Sequence, residues 1–199
     1  ERKLGYRFRS GALLAEALRH SSYANEHRGA ESVSNERLEF LGDSILGMVV
    51  ADHLYRNHPD LPEGDLTRTR AALVCEESLV VVAEELGLGE YLHLGRGEEA
   101  GGGRQRPSIR ADAVEAVLAA VYLDGGIGSA RKIIQKYILS REVAGLTKPR
   151  DHKTALQELV QRQADQVLVY QVVGEQGPDH AKTFEAEVLL NGTPLGTGC

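Results

Sequence analysis

Residues 35–46 read Asn-Glu-Arg-Leu-Glu-Phe-Leu-Gly-Asp-Ser-Ile-Leu. Glu36, Glu39 and Asp43 recur at i, i+3 and i+7. At about 100° per residue they share one face of a helix. Leu38, Leu41, Ile45 and Met48 follow the same spacing on the opposite side. Carboxylates stacked this way repel one another by roughly 0.2–0.5 kcal/mol per pair. Arg37, the one cation nearby, points elsewhere. The stripe therefore needs a cation from outside the helix, and hard carboxylate oxygens suit Mg²⁺ or Mn²⁺ better than zinc.

Working outward, a second segment has the same character. Asp112 and Glu115 lie at i, i+3 within residues 109–124. Ala113, Val117, Ala120 and Val121 give this helix an apolar face, and Gly125-Gly126 stops it. Alanines at 113, 116, 119 and 120 let another helix approach closely. Packed side by side, the two helices bring Glu39, Asp43, Asp112 and Glu115 into one pocket. Carboxylates without His or Cys describe a hard-metal site, and such sites assist attack of water on phosphodiesters. Either motif alone reads equally as a solvated acidic face; the pair favours the metal.

The chain of 199 residues has room for one typical domain and a small one. It has no run of 18 apolar residues and no signal-peptide pattern, which predicts a protein outside the membrane and not exported. Cys75 and Cys199 form no CxxC motif, as expected of a reducing cytoplasm. Cys75, in the apolar run 71–75, reads as a small core residue. The formal charge of −6 argues against a nucleic-acid partner at first sight. A metal-binding acidic cluster weakens that objection, because cations filling it remove the repulsion.

Residues 1–143 read as nearly all helix, with apolar residues at helical spacing in 12–19, 36–56, 65–86, 109–123 and 128–140. Residues 95–107, with five glycines, read as a flexible loop and lack the Lys-Ser/Thr ending of a phosphate-binding loop. Residues 146–152 read as a linker between a first domain, 1–145, and a second, 153–199. In the second, 153–164 is helical, 166–174 and 183–190 alternate with period two, and Asn191-Gly192 signals a hairpin turn. A third strand would begin before Cys199. A sheet with one helix beside it leaves apolar strand faces bare, so this unit needs further chain or a partner to cover them.

The stretch 35–46 resembles the signature of the bacterial ribonuclease III family nearly residue for residue. Leu18-Arg-His-Ser-Ser-Tyr-Ala-Asn25, residues 62–70, residues 94–98 and Ala111-Asp-Ala-Val-Glu-Ala116 resemble further family segments in the family's order. Residues 151–158 and Gly177-Pro-Asp-His180 resemble the start of a double-stranded-RNA-binding domain. The resemblance implies a mostly α fold: an all-helical nuclease domain followed by an α+β (α-β-β-β-α) RNA-binding domain, incomplete here at its C-terminus. In the family a Lys-rich segment and a closing helix follow, so the charge here is expected to understate that of a longer protein. The implied activity is endonucleolytic cleavage of double-stranded RNA by water assisted by two Mg²⁺ ions, for which Mn²⁺ may substitute. Two-ion sites hold their metals about 3.5–4 Å apart. The implied products carry 5′-phosphate and 3′-hydroxyl ends, in ribosomal and messenger RNA processing in the cytoplasm. Glu39, Asp43, Asp112 and Glu115 are the implied metal ligands and catalytic residues. Cutting two strands implies a homodimer. The alternatives are a non-catalytic RNA-binding protein on this fold, or a scaffold holding a structural Ca²⁺.

Other residues divide between ordinary and functional readings. Glu36 favours the helix amino terminus, where negative charge is stabilised by about 0.3–1 kcal/mol. Glu63 precedes Gly64 and reads as a turn residue; in the family the matching Glu lies near the scissile bond of the neighbouring subunit. Phe40 reads as core or, by resemblance, as an anchor at the dimer interface. His20, near Ser21 and Tyr23, reads as a cap or core residue. Gln157, Glu158 and Gln161 share an exposed helix face, and by resemblance they and the loop with Pro178 and His180 enter the minor groove of RNA, which proteins read by shape and 2′-hydroxyl. Arg106, Arg110 and Cys75 depart from the family pattern, which bears on local packing.

Overall fold

Acidic residues sit in the first turns of several helices, and glycine closes two of them. The computed structural model describes residues 1–141, 156–157, 160, 165–176 and 182–198, leaving aside the side chains at 30, 31 and 176. The first unit, Glu1–Thr147, carries α1 (Gly11–Ala17), α2 (Ser21–Glu26), α3 (Glu36–Asn57), α4 (Glu63–Val74), α5 (Glu76–Leu86), α6 (Arg96–Ala100) and α7 (Pro107–Tyr137). Glu36 and Glu39 sit in the first turn of α3, and Arg56 in its last, each where the helix dipole favours its charge. Pro107 opens α7 at a position where a missing N–H costs nothing. Gly87 closes α5 with a left-handed φ of 69°.

Helix α7 is the centre. Ala113, Ala116, Ala119, Ala120 and Val121 on α7 have no exposed surface, and neither do Leu46, Val49 and Val50 on α3. These two helices form the most extensive packing of the unit. Residues 107–141 are long and apolar enough to span a membrane, yet half of the most apolar stretch is buried within the fold, as befits a core helix. Gly126 breaks α7 with φ 77° and ψ 174°, the stop expected from Gly125-Gly126. Asp124 accepts hydrogen bonds there from Tyr6 Oη (2.6 Å), Arg9 N (2.9 Å) and Ser10 N (3.2 Å), bolting the amino-terminal segment to the core.

Four expectations need correction. The stretch 65–86 is two helices, because Cys75 takes ψ 159° and Glu76-Glu77 open a new helix amino terminus. Cys75 is accordingly a half-buried joint rather than a core residue. Met48 is 48% exposed, so it leaves the apolar side that Leu38 and Ile45 keep. Residues 95–106 are not a loose loop: they form α6 and a 3₁₀ turn, pinned by Arg104 Nε to Glu99 (2.9 Å), Arg106 to Glu98 (2.8 Å), and Arg110 Nε to the Arg104 carbonyl (2.9 Å). Two of the residues that depart from the family pattern, Arg106 and Arg110, thus brace the entrance to α7.

The second unit, Lys148–Cys199, contains β1 (Leu168–Gln176), β2 (Thr183–Leu190) and β3 (Thr193–Gly198) as an antiparallel sheet in the order β1-β2-β3. Asn191 (φ 50°) and Gly192 (φ 81°) both adopt left-handed backbone, which matches the twist of the hairpin joining β2 to β3. The β1–β2 register shifts between Val172 and Gly174. Val169, Val172, Val173, Phe184 and Leu195 stay about half exposed or more. Residues 156, 157 and 160 are helical, within the expected helix, and Val160 is buried. The expected linker at 146–152 lies outside the described residues.

Candidate metal centre

A glycine sets the distance between the two acidic helices. A Cβ built on Gly42 would stand 2.0 Å from the Glu115 carbonyl oxygen and 3.0 Å from its Cα. Backbone therefore meets backbone at this point, and the residues one turn away on α3 face Glu115. Glycine inside a helix costs about 1 kcal/mol relative to alanine, and here the close approach is what it permits. Asn35 fixes the other end. It is 4% exposed, its N–H donates to the Arg19 carbonyl (2.8 Å) and its Nδ2 to the Ala17 carbonyl (3.2 Å). This anchors the first turn of α3 against the segment joining α1 to α2. The sequence reading assigned neither residue a role, although a glycine mid-helix between two carboxylates was the available signal.

The result is a knot of acids. Glu39, Asp112 and Glu115 each offer a carboxylate oxygen, and these lie within 4.8 Å of one another. All three are half-buried, and all three are shifted upward. Burial, then Asp43, Asp112 and Glu39, push Glu115 up to about 8. Burial comes first for Glu39 too, followed by Asp112, Glu36 and Asp43. Asp112 rises through burial and Glu76, opposed by His20. Asp43 is exposed and stands outside this tight group, although it is the charge that acts most strongly on Glu115. The sequence stripe is thus split: Glu39 turns inward and Asp43 borders the pocket.

An oxygen-only donor set whose members resist ionisation together is short of positive charge. Those are the conditions a hard divalent cation satisfies, since it replaces the protons and lets all three carboxylates ionise. Among the described residues no Lys or Arg offsets the charge of these acids.

The remaining candidates fall elsewhere. Glu36 opens α3, is exposed, and accepts from Ser34 Oγ (2.8 Å). Glu63 opens α4 rather than lying in a turn, and accepts from Thr67 Oγ1 (2.7 Å), apart from the acidic cluster. Phe40 is 77% exposed, so it is no core residue; Met48 and Tyr55, 75% exposed, share its side of α3. Gln157 is helical and exposed. Glu158, Gln161, Pro178 and His180 lie outside the described residues.

An all-helical unit with an acidic pocket of oxygen donors is followed by a three-stranded antiparallel module. Comparison with known proteins narrows this description. Residues 10–142 match the family described as Ribonuclease-III-like, and residues 152–199 match the double-stranded RNA binding motif. Ribonuclease 3 of Caldanaerobacter subterraneus subsp. tengcongensis is 50% identical across 100% of this chain and 87% of its own. Ribonuclease 3 of Listeria innocua is 46% identical with the same coverage. Among solved structures, the nuclease domain of ribonuclease III from Campylobacter jejuni, described for flexibility in a region involved in dimer formation, superposes with a TM-score of 0.65 at 40% identity. That match covers 70% of this chain and 94% of the other. The chain belongs to the ribonuclease III family.

Proposed function

We propose that this endoribonuclease hydrolyses double-stranded RNA at the acidic pocket, using Mg²⁺, with Mn²⁺ able to substitute. The observation that carries the reading is the convergence of Glu39, Asp112 and Glu115 within 4.8 Å, with Asp43 at its border. A divalent ion in such a site supplies an activated water and stabilises charge on the leaving oxygen. The protein's own part is to hold the carboxylates rigidly on two helices locked at Gly42, to surrender the proton on Glu115 when a cation arrives, and to keep the pocket partly dry. Desolvation strengthens each electrostatic contact made there.

The second unit supplies RNA affinity in this reading, through Gln157, Glu158, Gln161, Pro178 and His180. Phe40, with Met48 and Tyr55 beside it, forms the contact between two copies, so that two pockets serve two strands. The proposed setting is the cytoplasm. Glu36 and Glu63 are accessory at most, as neither joins the cluster.

The test is cleavage of end-labelled double-stranded RNA with Mg²⁺, Mn²⁺, Ca²⁺ or chelator. Cutting with Mg²⁺ and Mn²⁺, and none with chelator, is expected. Binding without cutting under every metal would make the protein a non-catalytic RNA binder. Undiminished cutting in chelator would remove the metal.

A further inference from the structure

The two longest stretches of the chain without an acid are residues 2–15 and 125–141, and they carry eight cations in a protein of formal charge −6. The fold lays them side by side. The Lys3 carbonyl accepts from Lys136 Nζ (3.3 Å) and from Tyr137 Oη. Further along, a Cβ on Gly125 would stand 2.2 Å from Tyr6 Oη and 2.7 Å from Ser129 Oγ. Asp124 then holds Arg9 N and Ser10 N. The amino-terminal segment thus runs antiparallel to the last part of α7. Leu4 and Phe8 turn into the core, at 6% and 8% exposed, which leaves Arg2, Arg7 and Arg9 on the outside.

Part of this charge is used within the fold. Arg131 pairs with Asp52 (2.7 Å) and Arg141 with Glu85 (2.5 Å). Arg9 lies beside Asp124. Lys136 Nζ sits 4.5 Å from the centre of the Tyr137 ring, which fixes its position without cancelling its charge. Among the described residues Arg2, Arg7 and Lys132 have no ion-pair partner, and all three are exposed. Arg2 and Arg7 flank an open cavity of about 320 Å³ floored by Gly5 and Tyr6, with Glu1 as the acid in its lining. Lys132 stands one turn from Lys136 on the exposed side of α7.

Contact with phosphate requires cations whose charge is not already offset, and guanidinium groups take phosphate oxygens two at a time. We propose that this strip is a second RNA contact, in which Arg2, Arg7 and Lys132 hold the phosphate backbone of the double-stranded substrate beyond the acidic pocket. The near end of the strip, Asp124, lies roughly 14 Å along α7 from Glu115 at 1.5 Å per residue. A duplex reaches across that distance and a single nucleotide does not. A membrane surface fits the strip less well, because Leu4, Phe8, Ile133 and Ile134 are buried and leave little to enter a bilayer. The inference rests on the RNA reading above.

The test compares the native full chain with Arg7→Gln/Lys132→Gln, and with Arg56→Gln, which removes an exposed cation already paired with Asp52. Fluorescence anisotropy measures binding to a duplex of about 48 base pairs, three times the span of one RNA-binding module, in chelator at 50 to 200 mM KCl. Each lost phosphate contact lowers the slope of log affinity against log salt by about 0.9. The double variant is therefore expected to bind about tenfold more weakly at 50 mM and to converge with the native protein by 200 mM. In Mg²⁺ its KM should rise with kcat unchanged, and its melting temperature should stay native. Native affinity and slope in the double variant would overturn the inference. A matching loss per charge in Arg56→Gln would overturn it too, as the mark of net charge rather than contact. So would a fall in kcat at unchanged KM, which would place the effect in the pocket. Loss of sedimentation with phosphatidylserine vesicles, with RNA binding intact, would make the strip a membrane contact instead. A native chain that binds no duplex at all would sink the RNA reading itself.

Discussion

Helices α3 and α7 bring the same chemical group to one pocket from opposite environments. On α3 one flank of the acids is open to solvent: Phe40 is 77% exposed, and Arg37 and Ser44 are exposed as well. Around Asp112 and Glu115 on α7, Ala111, Ala113, Val114, Ala116 and Val117 are 5% exposed or less. Placing carboxylates in such a helix is unfavourable unless something neutralises them. Glu115 registers this most, held up to about 8. The buried helix therefore supplies the demand for a cation, and the surface helix supplies access to it. The surface helix also carries an apolar stripe that a second copy could cover.

The contrast depends first on the contact between the two helices. Gly42→Ala drives a methyl into the Glu115 backbone and forces α3 away from α7. A loss of about 3 kcal/mol, the upper end of overpacking penalties, is expected in urea unfolding. Metal binding and cleavage should be lost together. A variant that unfolds at the native urea midpoint and still binds Mn²⁺ would mean that the helices tolerate separation.

Glu115→Gln keeps the shape and removes the charge on the buried side. Cleavage in Mg²⁺ should fall by more than about 100-fold, beyond the usual effect of outer-shell changes. Gel-shift binding to double-stranded RNA should be retained. Turnover near the native rate would take Glu115 out of the mechanism. The companion change Asp43→Asn, on the exposed border, should cost less metal affinity if burial is what makes the α7 ligand strong.

On the outer face of α3, Phe40→Ala should weaken self-association by about 2 kcal/mol, roughly 30-fold in the dissociation constant. Sedimentation at low micromolar concentration is the measurement. An unchanged distribution of species would leave the stripe of Phe40, Met48 and Tyr55 without a role in assembly.

The smallest effect is a pH slope. In the metal-free protein, Glu115 stays protonated up to about 8, whereas in the unfolded chain it ionises near 4.5. Between those values the unfolded state binds fewer protons, so stability falls as pH rises through the window and levels off above it. Added Mg²⁺ should flatten the slope by displacing the proton, and Glu115→Gln should flatten it without metal. A melting temperature in chelator that rises from pH 5 to 8 for the native protein, and equally for Glu115→Gln, would contradict this origin.

Much of this was legible along the chain. The acidic stripe, the second acidic helix, the stop at Gly126 and the Asn191-Gly192 hairpin all follow from local rules. Those rules act on residues within about a turn of one another. The missed features share a different origin. The break at Cys75 arises because two acidic residues can start a helix as readily as they can sit inside one. The bracing of residues 95–106 needs Arg104, Arg106 and Arg110 to find Glu99, Glu98 and Glu84 in space. Glycine content alone reads there as freedom.

Periodicity settled which residue types share a helix face, since side-chain direction repeats with the backbone geometry. The helix start set Glu36 apart, but nothing along the chain chose between Glu39 and Asp43, which lie on one stripe and look alike. Packing made that choice. The contact at Gly42 and the anchor at Asn35 turn Glu39 toward Asp112 and Glu115, leave Asp43 at the edge, and leave Glu36 to the helix terminus. Burial, which raises the acids and creates the need for a cation, belongs to no single segment. It exists only where α7 is surrounded by the rest of the fold.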